Sequence, residues 1–356
     1  MLSRVADNLY WMSRYIERAE NLARLMQVSV ELLLDGAVFG AQDPDAYWMP
    51  VLSATAMEGS FRILHPEPEP GAPSRFLTLD DRNPGSILTC IREARENART
   101  ARDQISDEMW SELNDLYLKI STGEGFELLQ SSPQVFFETI IQSSLKFDGI
   151  TAATLPRTEG WNFMQLGRFL ERADQTSRFL DIKTQTKAAL DGPVEILQWG
   201  TILRACSAHG PYRRVNGTEM SLERVLELLV FSTDFPRSIR FCVRMVDETL
   251  HHISGKPVGQ YSNNCEKLAG ALLSKLNFTG STDVLERGLH QYIDDLQNSL
   301  NNIGQSIFET YVKLPQESLG IAKTGHFDPF EFHIQKQQQQ QQQQSAAHAR
   351  EVAYKA

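Results

Sequence analysis

Along the first thirty residues, Leu9, Met12, Tyr15, Ile16, Ala19, Leu22, Ala23 and Met26 recur in steps of three and four. That spacing places apolar side chains on one helical face, and it predicts an amphipathic helix from Leu2 to about Leu34. Periodic apolar stretches also follow Pro84 and Pro236. Both prolines are expected in a first helical turn, where a missing N–H leaves no bond unmade, with Asp234 placed to cap the second of these helices. No segment shows the strict alternation of a half-buried strand. Breakers fall at His65 to Ser74, at Asp191-Gly192-Pro193, around Gly255 to Gly259 and around Gly280. The expectation is an all-α chain with four or five helices in each half.

The polar positions add a second pattern. Arg14-Tyr15-Ile16-Glu17-Arg18-Ala19-Glu20 with Arg24 returns as Arg168-Phe169-Leu170-Glu171-Arg172-Ala173-Asp174 with Arg178, which is 154 positions on (168 − 14). Trp48, Leu52, Ala54, Gly59, Phe61 and Arg62 match Trp199, Leu203, Ala205, Gly210, Tyr212 and Arg213. Pro84, Ser86, Ile87, Cys90, Ile91, Arg92 and Glu96 match Pro236, Ser238, Ile239, Cys242, Val243, Arg244 and Glu248. Blocks repeated in the same order at nearly one offset predict a helical bundle built by tandem duplication of a unit of roughly 150 residues. The first repeat is expected over 1–156 and the second over 157–315, packed together as one domain. A C-terminal extension, 316–356, carries the run Gln337 to Gln344. Such a polar tract buries too little apolar surface to offset its ordering entropy.

At about 100° per residue, Glu17 and Arg24 project within roughly 20° of each other, with Glu20 beside them. They lie opposite the apolar stripe, and Arg14 and Arg18 flank it. Glu171, Asp174 and Arg178, flanked by Arg168 and Arg172, repeat the geometry. Three readings are open: a solvated face stitched by weak i,i+3 and i,i+4 pairs, a buried ion-pair network between helices, or a Glu/Arg site for an anionic or zwitterionic ligand. Arg92, Glu96, Arg244 and Glu248 are a secondary repeated set. Metal binding is a weaker reading. Glu17 with Glu20, Glu171 with Asp174, and Glu248 with His251 have the i,i+3 spacing of di-metal bundles, but the counterpart of His251 is Arg99, which cannot ligate.

The 356 residues carry a net charge of −10, which argues against a general nucleic-acid or anionic-membrane binder. No apolar run is long enough to span a bilayer, and no signal-peptide core opens the chain. A cytoplasmic location is expected. Cys90, Cys206, Cys242 and Cys265 have no zinc-type spacing and are expected as buried thiols. Neither Cys90 nor Cys242 has a repeated histidine to activate it. The usual nucleotide-binding glycine motifs are absent, and no cofactor is implied. No catalytic constellation can be assembled, so enzymatic activity is left undecided, leaning against.

The opening Leu2-Ser3-Arg4-Val5-Ala6-Asp7-Asn8-Leu9-Tyr10-Trp11, running into Arg14-Tyr15-Ile16-Glu17-Arg18-Ala19-Glu20-Asn21, resembles the start of the bacterial alpha-E domain family. Gly167 to Ala173 and Pro236-Arg237-Ser238-Ile239 with Cys242 resemble its later motifs. Ser13 departs from the pattern, which has Gly there as the second copy does at Gly167. The resemblance implies an all-helical protein. It also implies association with a circularly permuted ATP-grasp protein, often with a transglutaminase-like peptidase nearby, in a system that makes and trims amide bonds. The expected role is a non-catalytic partner of that system. The alternatives are an enzyme of the same pathway using the Glu/Arg cluster, or a metal-binding bundle.

Overall fold

The computed structural model describes residues 3–38, 48–185 and 193–313. The glutamine tract lies outside them. Sixteen α-helices and no strand occur among the described residues. They are α1 (Ser3–Val38), α2 (Met49–Ala54), α3 (Glu58–Leu64), α4 (Ala72–Thr78), α5 (Ile87–Thr100), α6 (Asp107–Ser121), α7 (Gly123–Ser131) and α8 (Pro133–Thr154). There follow α9 (Glu159–Gln185), α10 (Pro193–Ala205), α11 (His209–Asn216), α12 (Leu222–Leu226), α13 (Ile239–Ser254), α14 (Asn264–Asn277), α15 (Ser281–Arg287) and α16 (Leu289–Tyr311). A π-helical stretch, Glu227–Phe231, continues α12. There are more helices than the four or five per half expected. The surplus consists of short elements of five to nine residues, among them α2, α3, α4, α12 and α15, which form between the breakers. Pro73, read as part of a breaker, lies inside the first turn of α4, where its lack of an N–H costs nothing.

Serines, rather than prolines or Asp234, start the two matching helices. Ser86 Oγ accepts from Thr89 N–H at 3.2 Å and Ser238 Oγ from Phe241 N–H at 3.1 Å. Each serine is therefore an N-cap in extended conformation. Pro84 and Pro236 stand two residues earlier, in the approaching turn, and Asp234 makes no cap.

Two long helices, α1 and α9, form the centre. α1 packs on α5, α8 and α9, and α9 packs on α13, α16 and α1. Beyond this, α2 lies against α9 while α10 lies against α1, so each central helix is also covered by a short helix from the other side of the chain. α1 is consequently enclosed nearly all round: Leu9, Met12, Ala19, Ala23 and Met26 are fully buried, and so are polar residues on other faces. The two central helices approach closely at Gly167, where a Cβ would lie 2.2 Å from the carbonyl oxygen of Tyr10. Only glycine fits such an approach. The matching residue on α1, Ser13, is itself buried, so the close approach is made by one glycine.

Candidate functional site

The charged face of the repeated helix is not solvated. Glu17, Glu20, Glu171 and Asp174 are all buried, with Glu20 and Glu171 at 0% exposure. Arginines from the opposite central helix reach in to meet two of them. Arg172 donates to Glu17 through Nε at 2.8 Å and a terminal nitrogen at 2.6 Å. Arg18 donates to Glu171 through Nε at 2.6 Å and a terminal nitrogen at 3.0 Å. Both are two-pronged guanidinium–carboxylate pairs, the strongest geometry available to these groups. Amides finish each site, Asn21 donating to Glu17 at 2.8 Å and Gln175 to Glu171 at 3.0 Å.

The two sites diverge in their second arginine. Glu171 also accepts from Arg14 Nε at 2.8 Å. Arg14 donates to Tyr10 Oη as well and lies over the Trp11 ring. Its counterpart Arg168 instead pairs with Asp148 on α8, at 3.1 Å. Glu17 takes its second cation from the turn before α13: Arg237 reaches Glu17 at 3.2 Å, Asn21 at 2.7 Å, and Glu20. Glu20 is completed by Arg24 at 2.8 Å and Ser144 at 2.8 Å. Asp174 pairs with Arg178 at 2.7 Å, and its buried Oδ1 has no hydrogen-bond partner among the described residues.

Electrostatics follow from this geometry. Burial alone would raise the Glu17 carboxyl, but Arg172 and Arg237 outweigh it and hold the group down to about 2. Glu171 is pushed still lower, burial being overcome by Arg18 and Arg14. Arg14, Arg18 and Arg172 are all stabilised as cations by the same contacts, against the opposing effect of burial. Asp148 moves the other way, upward, because burial exceeds the help from Arg168.

The ten residues of the repeated Arg/Glu motif thus fall into three ion-paired sets, around Glu17 and Glu20, around Glu171, and at Asp174 with Arg178, joined to α8 and to the turn before α13 through Asp148, Ser144 and Arg237. The secondary set stands apart. Arg92 pairs with its neighbour Glu93, Glu96 with Arg95 and Arg99, and Arg244 with Glu248, all on the surface. Sequence reasoning missed Arg237, Asn21, Gln175, Ser144 and Asp148. Asn21 and Gln175 match each other at the repeat offset and were findable. Arg237 was not, because its counterpart is Gly85, over which the Met57 side chain folds; a Cβ there would lie 2.2 Å from Met57 Cε.

The four cysteines are buried, and burial pushes Cys90, Cys206 and Cys242 up to about 12. Glu248 and His251 do not converge as metal ligands. Glu248 faces outward, while both ring nitrogens of His251 lie 2.7 Å from backbone carbonyls. Among the described residues Asp181, His290 and Asp294 bring one donor atom each within 4.8 Å of one another. The His290 ring meets the two carboxylates through opposite nitrogens, Nδ1 at 3.0 Å and Nε2 at 3.6 Å, so the trio reads as an ion-pair arrangement. A cleft of about 660 Å³ between α3, α4 and α7 is lined by His65, Arg75, Phe76, Asp80, Arg82 and Phe126 among others, and it shares no residue with the network.

The protein is therefore an all-helical bundle whose two central helices are cross-linked by buried Glu-Arg doublets. It belongs to the Alpha-E family, described as a predicted alpha-helical domain with a conserved ER motif, whose sequence model matches residues 1–312. Of the Glu-Arg doublets in the chain, Glu17-Arg18 and Glu171-Arg172 are the two that the fold joins. Similar curated proteins are uncharacterized proteins of Mycobacterium bovis and Mycobacterium tuberculosis, 26% identical over 340 residues. The match takes in 88% of this chain and 37% of theirs, so the chain spans little more than a third of their length. No solved structure matches it significantly.

Proposed function

We propose that the chain is a non-catalytic helical partner of an ATP-grasp enzyme that forms amide or peptide bonds, acting in the cytoplasm. A transglutaminase-like peptidase of the same system would be a further contact. The observation that carries the non-catalytic part is the state of Glu17 and Glu171. An enzymatic reading would need one of them as general base. A carboxylate held at about 2, as Glu17 is, is a poor proton acceptor near neutral pH, because general bases work best with a pKa near the working pH. Each carboxylate already accepts from two arginines and an amide, leaving little room for substrate.

The family context and the longer mycobacterial relatives support the partnership. In those proteins the matched region stands beside further sequence, as a module that works with others would. The test is co-purification of the tagged full chain with a circularly permuted ATP-grasp protein of the same genome, and amide-ligase assays with and without the chain. Co-elution together with changed ligase activity is expected. An ATP-grasp protein that neither binds the chain nor responds to it would end this reading.

A further inference from the structure

We infer that His251 is a proton-operated latch that fastens the surface loop 255–263 to α13 and α14. This goes beyond the partner role and does not depend on it.

The argument starts from donor and acceptor chemistry. His251 is 5% exposed. Its Nδ1 lies 2.7 Å from the carbonyl oxygen of Asp247, one turn back on α13, and its Nε2 lies 2.7 Å from the carbonyl oxygen of Gln260 in the loop. Carbonyl oxygens only accept. A neutral imidazole carries one N–H, so one of these contacts would set a nitrogen lone pair against an oxygen lone pair. Only the imidazolium satisfies both. A counter-charge is at hand: Asp247 Oδ1 is 3.7 Å from Nδ1, and it is a buried oxygen with no hydrogen bond of its own.

The loop has a second fastening two residues on. Glu266, at the start of α14, accepts from the Ser262 N–H at 2.6 Å, from Ser262 Oγ and from Asn263 Nδ2. Gly255 and Gly259 carry the left-handed turns the loop needs, at φ 71° and 91°. On either side of Gln260 it presents Val258 and Tyr261, both over 60% exposed. The carboxylates acting on His251 are Asp247 of its own helix and Glu266 of α14, with Glu248 acting in turn on Asp247. Tyr311 of α16 lies beyond Glu266. Burial opposes the charge on His251, but the two carbonyls and then the two carboxylates outweigh it, so its pKa is raised above the ordinary 6.5. At the matching positions of the first half stand Arg95 and Arg99, neither a carboxylate nor an imidazole, so the latch belongs to one half only.

The sign is set by linkage. Below the ordinary histidine value the ring is protonated with the loop closed or open, and the latch is at full strength. Between that value and the raised one, the closed loop holds a proton that the open loop has lost. The opening constant should then rise about tenfold per pH unit. Above the raised value it levels off.

The test uses the full chain. Amide hydrogen exchange of residues 255–263, corrected for intrinsic rate, is followed from pH 5.5 to 8.5 beside residues 101–106, the matching loop. Protection of 255–263 is expected to fall about tenfold per unit through one window while 101–106 stays flat. His251→Gln should remove that slope, and Asp247→Asn should move the window to lower pH. If either variant fails to fold, ¹⁵N resonances of the native His251 ring decide: both nitrogens protonated at pH 6.5 is expected. A neutral tautomer there, or a loop whose protection is flat across the whole range, overturns the latch.

Discussion

Arg172 and Glu17 face each other across 155 residues of sequence and close a two-pronged bridge at 2.8 and 2.6 Å inside the protein. Arg18 and Glu171 do the same in the reverse sense. The bridges cross between α1 and α9, so each central helix supplies both an acid and a base to the other.

Removing one acid should therefore be far more damaging than removing a surface one. Glu171→Gln leaves Arg14 and Arg18 buried without their counter-ion and is expected to cost about 3–5 kcal/mol. Glu248→Gln breaks an exposed pair and should cost under about 0.5 kcal/mol. Urea unfolding of the two variants beside the parent measures the contrast.

Two glycine-to-alanine changes should have opposite signs. In Gly167→Ala the new methyl meets the Tyr10 carbonyl and should force α1 from α9, costing about 1–3 kcal/mol or more. Gly149 lies within α8 with nothing near its Cβ position. Gly149→Ala should stabilise by about 0.5–1 kcal/mol through helix propensity. Thermal melts of both variants are enough to decide.

Acid should undo the network over a defined range. Glu17 is held at about 2 against an ordinary 4.5, and Glu171 is displaced in the same direction. The stability they contribute is fully present above pH 4.5 and is lost as pH falls toward 2, at up to about 1.4 kcal/mol per pH unit for each group. Asp148 is displaced upward and partly offsets the loss, because the folded state takes up that proton more readily. Urea midpoints from pH 7 to 3 should decline accordingly, and the decline should be shallower by about one proton in Glu171→Gln.

Thiol reagents should read folding directly. All four cysteines are buried and unpaired, three of them with thiols pushed up to about 12, so neither access nor thiolate is offered in the native state. A disulfide reagent at pH 8 should react negligibly with native protein and with four thiols after denaturation. Rapid native labelling of Cys90 or Cys242 would contradict the burial described.

Much of the fold was legible because helical periodicity reports a buried face directly. The stripe from Leu9 to Met26 is buried as its spacing predicts. What periodicity could not report was that α1 is enclosed on its other faces too, since that depends on α9, α8, α10 and the turn carrying Arg237 arriving from distant sequence. Glu17 and Glu20 could be read as a solvated face, a buried ion-pair network or a ligand site until those helices were placed. The repeat selected ten charged residues that the structure holds in ion pairs, and it also selected Arg92, Glu96, Arg244 and Glu248, which lie on the surface. It was blind to Arg237, whose match is Gly85. The helix starts were misassigned to Pro84 and Pro236 because proline fits both a first turn and the turn before a cap. The serine side chains, Ser86 and Ser238, decide between the two.

Every arginine on Glu17 comes from beyond residue 157, and every arginine on Glu171 comes from before it. A fragment ending after α8 would carry Glu17 without Arg172 or Arg237, and a fragment starting at α9 would carry Glu171 without Arg14 or Arg18. Neither piece can neutralise the acid at its own heart. Severed between α8 and α9 and mixed, the two should recognise each other as an obligate pair, each serving as the other's counter-ion.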